Sequence, residues 1–148
     1  MPNKYIRYTI AFLLIIGLIL VRKYEDSLFY DPFINYFRSL GHFTFPEIDI
    51  AKFNASTMLR FAINTLLTVL IIWFIYWNRN YVRFSILVLI VSFIILLPLY
   101  NYLISTKFSS GELIFFYVRR FLIQPIFVLI LIPCFYYQEL QHKKREEN

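Results

Sequence analysis

Met58-Leu59-Arg60-Phe61-Ala62-Ile63-Asn64-Thr65-Leu66-Leu67-Thr68-Val69-Leu70-Ile71-Ile72-Trp73-Phe74-Ile75-Tyr76-Trp77 is a run of twenty residues with a single charge, Arg60. Wound as a helix at about 1.5 Å per residue, it covers about 30 Å, the thickness of a bilayer's hydrocarbon core. It ends on Trp73, Tyr76 and Trp77, amphipathic rings that favour the membrane–water interface. The rest of the chain has the same character. Of 148 residues, 59% are hydrophobic, 21% aromatic and only 16% charged. A soluble domain of this size has no interior large enough for so much apolar surface, so the bilayer is the natural solvent.

Three further stretches approach spanning length: Tyr5–Val21, Arg83–Leu103 and Phe115–Tyr137. The expected fold is therefore all-α, a polytopic four-helix transmembrane bundle forming one integral membrane domain over residues 1–148. Its spans fall at about 5–21, 58–77, 83–103 and 115–137, with an outer loop at 22–57 and a tail at 138–148. The first span starts like a signal peptide, with Lys4 and Arg7. It then runs into Arg22-Lys23-Tyr24-Glu25-Asp26 without a small-x-small cleavage site, so an uncleaved anchor is expected. Pro98, Pro125 and Pro133 are expected to kink the third and fourth spans.

Basic residues set the expected orientation. With the N-terminus inside, Lys4, Arg7, Arg79, Arg83, Lys143, Lys144 and Arg145 are cytoplasmic, and the opposite side carries basic residues diluted by acids. Both termini are then cytoplasmic. The net charge of +6 sits at span ends, which suits anionic headgroups and not nucleic acid.

The outer loop has a pattern of its own. Asp31-Pro32 followed by Phe33, Tyr36, Phe37, Leu40 and then Gly41 predicts a short amphipathic helix, capped by Asp31, lying in the interface. Residues 43–50 alternate but include Pro46, which predicts an extended cover. Ser56 or Thr57 is expected to cap the second span. Asn54-Ala55-Ser56 is a glycosylation sequon in form, with meaning only in a eukaryotic secretory pathway.

Chemistry concentrates in a polar cluster. Arg60 and Asn64 lie one turn apart on one helix face, continued by Thr68, and Arg120 and Gln124 repeat the spacing. Arg119 precedes Arg120 inside a span that is otherwise apolar. Each arginine costs about 2.5–3.5 kcal/mol at a helix centre, against about 0.3–0.6 kcal/mol returned by each Leu, Ile, Phe or Val. Phe115–Tyr137 therefore inserts with little to spare, and partners for these charges are expected. Glu25, Asp26 and Asp31 are the candidate acids, one of them expected within reach of Arg60, Arg119 or Arg120. Arg120 and Gln124 are expected to face the bundle, with Arg60 and Asn64 close by. Snorkelling of the guanidiniums to lipid phosphates is the bland alternative, strongest for Arg60 and Arg119.

Little else points to a reaction. His42 and His142 have no nucleophile–base arrangement, and Cys134 reads as a small buried hydrophobe near a span end. Neither a metal-ligand spacing nor a phosphate-cradling loop is present, so no metal, cofactor or enzymatic activity is expected.

Arg22-Lys23-Tyr24-Glu25-Asp26-Ser27-Leu28-Phe29-Tyr30-Asp31-Pro32-Phe33, Leu59-Arg60-Phe61-Ala62-Ile63-Asn64-Thr65, Phe116-Tyr117-Val118-Arg119-Arg120-Phe121-Leu122-Ile123-Gln124-Pro125 and Ile132-Pro133-Cys134-Phe135-Tyr136-Tyr137-Gln138 together resemble the exosortase F system-associated membrane proteins. The resemblance runs in order over nearly the whole chain. It implies a companion of an exosortase, a polytopic membrane enzyme with a Cys/Arg/His active site that processes sorting signals on exported proteins. The setting implied is the inner membrane of a Gram-negative bacterium, with the outer loop periplasmic. No catalytic residue carries over.

Three functions then compete. A non-enzymatic accessory subunit binding the exosortase or its substrate leads. A small transporter or a lipid- or anion-binding protein with an arginine-rich outer pocket follows. An enzyme using Glu25, Asp26 or Asp31 as a base comes last.

Overall fold

The computed structural model describes residues 3–38, 47–107, 109 and 111–147. The described residues are helical, without a strand: α1 Lys4–Lys23, the helical turn α2 Glu25–Leu28, α3 Phe33–Arg38, α4 Ile50–Tyr76, α5 Arg79–Ser105, α6 Glu112–Ile123 and α7 Ile126–Glu146. Three of these, α1, α4 and α5, are long and apolar enough to cross a membrane. Their outward faces are apolar and suit a lipid environment: Phe12, Leu87, Ile94 and Ile95 are all exposed. The chain is a helical membrane protein.

α4 is the central helix and packs against α1, α5, α6 and α7. It runs antiparallel to α1, whose Arg7 meets the last turn of α4. There Arg7 donates from Nε to the Phe74 carbonyl (3.0 Å) and from Nη2 to the Ile75 carbonyl (2.9 Å), with its guanidinium 5.1 Å from the Trp77 ring centre. A cation on the last free carbonyls of a helix also opposes its negative dipole end. Trp77 ends α4 in the left-handed conformation (φ 52°), a position that glycine usually fills, and its N–H donates to the Trp73 carbonyl. Asn78 then caps α5.

The expected spans need three corrections. The fourth is not one helix over 115–137. It is broken into α6 and α7, bent by 66°. Pro125 has no N–H for the helix ladder, and it pushes Gln124 to an extended conformation (φ −93°, ψ 146°). By contrast Pro98 and Pro133 lie inside helices that run through them. The second span starts earlier than 58, because Asp49 caps α4 by accepting from the Lys52 N–H (3.3 Å); Ser56 and Thr57 lie inside the helix. Cys134, expected to be buried, is exposed on α7. Both lipid and core are apolar, so composition does not separate the two faces of a span.

A helix, α3, lies within the expected stretch Pro32–Leu40 and starts one residue later, at Phe33. Phe33 is fully buried, Tyr36 packs on the core, and Asn35 and Arg38 are exposed. Leu40, Gly41, His42 and most of the expected cover at 43–50 lie outside the described residues.

Candidate functional site

Asp31 is the hub. It sits in the turn before α3, where its Oδ1 accepts from the Phe33 N–H (3.1 Å) and so caps that helix. Its Oδ2 accepts from two guanidiniums, Nη1 of Arg60 at 3.2 Å and Nη2 of Arg119 at 2.6 Å. The Asp31 and Arg60 side chains are each 3% exposed, and Arg119 is 15% exposed. A single carboxylate thus ties the loop to α4 and to α6. Charge-assisted bonds of this kind are strong where water is scarce.

The surroundings are aromatic. The Phe29 ring lies 4.7 Å from the Arg60 guanidinium and covers one of its faces. Tyr100, fully buried, has Arg119, Asp31 and Arg60 as its charged neighbours. Tyr100 also stacks on Phe115 at 4.9 Å, and Phe115 packs on Phe33.

One turn below Arg60, the Asn64 Nδ2 donates to the Ile123 carbonyl (2.6 Å), and the Thr68 hydroxyl donates to the Asn64 carbonyl (2.6 Å). The reason is local. In an unbroken helix the Ile123 carbonyl would accept from the N–H four residues on; the break at Pro125 frees it, and Asn64 takes that place. The Arg60, Asn64 and Thr68 face is buried throughout.

The remaining candidates go elsewhere. Arg120 does not face the bundle. It is exposed, and its Nε donates to the Gln124 Oε1 (3.1 Å). Successive helix residues lie about 100° apart, so Arg119 and Arg120 do not share a face. Phe115, Val118 and Leu122 make the inward stripe of α6, which Arg119 completes at the i+4 position. Asp26 pairs with Arg38 at 2.7 Å on the surface, away from the cluster. Glu25 is half-buried and lies within electrostatic reach of Arg119. Asp31 is therefore the acid that closes the cluster; after the helix break at Tyr24, Asp26 lies on the surface and Glu25 at the cluster's edge.

Sequence reading passed over Phe29, Tyr100 and Arg38. For Phe29 and Tyr100 a signal existed, since guanidiniums near aromatics in a dry site are a common pairing. At the rim, the Tyr36 hydroxyl donates to the Glu112 Oε1 (3.3 Å). Desolvation, and then the Glu112 carboxylate, push this phenol above its ordinary value, so it serves as a neutral donor. Among the described residues no group of three His, Cys, Asp or Glu side chains is placed to hold a metal ion. Comparison with protein-family models, with curated proteins and with solved structures gives no match to this chain.

Proposed function

We propose that this protein is a non-enzymatic accessory subunit of the membrane, binding a partner membrane protein of the exosortase type or that enzyme's substrate. The observation that carries the reading is the division of labour between the two adjacent arginines. Arg119 is paired inside with Asp31, whereas Arg120 stands on the exposed, aromatic face of α6 beside Phe116, Tyr117 and Phe121. No described carboxylate lies within ion-pair distance of Arg120. A guanidinium on an apolar helix face is costly against lipid tails and gains from an acid on a neighbouring membrane helix. The clamp formed by Asp31 holds that face in a fixed position. The family resemblance supplies the partner's class.

In this reading α6 and α7 together make a fourth, broken crossing. Both termini are cytoplasmic, the segment 24–49 is periplasmic, and the membrane is the inner one of a Gram-negative cell. The basic-residue bias supports that orientation. A phosphatase fused after Glu147 is expected to be inactive and one inserted after Asp49 active; the reverse pattern sinks the topology.

The functional test is a detergent pull-down of the full chain with mass spectrometry. Arg120→Leu is expected to leave protein levels unchanged and to reduce recovery of the partner about fivefold, the worth of an interhelical polar contact of roughly 1 kcal/mol. Lys107→Leu, which removes the same charge from a short exposed connection, is expected to do nothing. Equal partner recovery from Arg120→Leu and the unchanged chain would refute the assignment.

A further inference from the structure

Beside Arg60, a crevice lies between the end of α1, α4 and the break after Ile123, with Arg22, Glu25, Arg60 and Asn64 in its lining. We propose that it binds the phosphodiester of a membrane phospholipid, with one phosphate oxygen seated against Arg60. The first observation is Arg60 itself. It is 2% exposed, and only Nη1 is used by Asp31. Its Nε and Nη2 are equally enclosed and have no hydrogen-bond partner among the described residues. Buried polar groups are satisfied as a rule, and two open donors on one charged group call for an acceptor.

Size is the second observation. The enclosed space is about 10 Å³, room for one oxygen-sized atom, and the crevice is only partly closed. It admits a single phosphate oxygen, while the rest of a headgroup stays at the mouth beside Arg22.

Charge is the third. The crevice and the ion cluster behind it hold three guanidiniums (Arg22, Arg60 and Arg119) against two carboxylates (Glu25 and Asp31), one positive charge in excess. A phosphodiester carries one negative charge and restores neutrality. A water satisfies the donors but leaves the charge.

Depth is the fourth. α1 has 20 residues, about 30 Å of helix, so its end at Arg22 and Lys23 comes at headgroup level whichever way the chain is inserted. Exposed Ile19 and Leu20 lie just below for acyl chains.

Native mass spectrometry of the detergent-purified full chain tests the site, with titration by phosphatidylglycerol, diacylglycerol and inorganic phosphate. One phospholipid per chain is expected, with little binding of diacylglycerol or free phosphate. Arg22→Gln should weaken phosphatidylglycerol binding about fivefold and Glu25→Gln should tighten it about fivefold, each removing one charge near the headgroup. Neither residue bonds to Asp31, so both variants keep the clamp. Equal binding of diacylglycerol, equal binding of inorganic phosphate, or an affinity that neither substitution moves overturns the proposal; the last outcome assigns the space to a water.

Discussion

Asp31→Asn is expected to be among the most damaging single substitutions in this protein. It leaves two buried guanidiniums, Arg60 and Arg119, facing a neutral amide, and removing one side of a buried ion pair costs about 3–5 kcal/mol. Native stability is only about 5–15 kcal/mol, so the variant should fail to accumulate or should unfold early in a denaturing-detergent titration. The arginines should be less sensitive. Arg119→Leu or Arg60→Leu each leaves a one-to-one pair on Asp31, and the site then carries less uncompensated charge than before. The expected order is therefore Asp31→Asn far worse than either arginine substitution, although all three delete one charge. Limited proteolysis adds a second measure, because loss of the hub should release the segment around 31–38 from α4 and α6. An Asp31→Asn chain within about 1 kcal/mol of the unchanged protein would show that the arginines find other acceptors at little cost.

The parts of this fold that the sequence makes legible are those set by the bilayer. The three long apolar helices follow from length and polarity, and the face shared by Arg60, Asn64 and Thr68 follows from helical spacing alone. The inward place of Arg119, in exchange for the expected Arg120, follows from spacing that the sequence does carry: Phe115, Val118, Arg119 and Leu122 keep the i, i+3, i+4, i+7 rule that Arg120 breaks. The full break at Pro125 was less so. Pro98 and Pro133 carry the same residue through helices that do not stop. What distinguishes the break at Pro125 is that the freed Ile123 carbonyl accepts from the Asn64 side chain, a contact across 59 positions. In the same way the early start of α4 at Ile50, capped by Asp49, is accompanied by Phe53 packing against Phe33 and Tyr100. Choosing Asp31 over Glu25 and Asp26 needed the turn at Tyr24 (φ −100°, ψ 14°), which ends α1 and redirects the chain. Local composition does not encode such a choice among three nearby carboxylates.

Phe33→Ala is the second large effect, and it tests whether packing and charge act as one unit. Phe33 is fully buried and closes a ring of four aromatics. Its contacts are Phe53 at 5.6 Å edge-on and Phe115 at 4.9 Å; Tyr100 completes the ring against Phe115 at 4.9 Å and Phe53 at 5.4 Å. Truncating a buried Phe costs about 3–5 kcal/mol where the cavity does not collapse, and a ring of rigid aromatics collapses poorly. Phe33→Leu keeps much of the volume and should cost less than about 1.5 kcal/mol. The Phe33 backbone N–H also holds the Asp31 carboxylate, so unseating Phe33 loosens the acid from both arginines. Asp31→Asn and Phe33→Ala should accordingly be less damaging together than the sum of the two, with an interaction of at least about 1 kcal/mol in a double-mutant cycle. Detergent unfolding of the four chains measures it. Strict additivity would separate the aromatic box from the ion cluster and would leave the loop fastened by two independent locks.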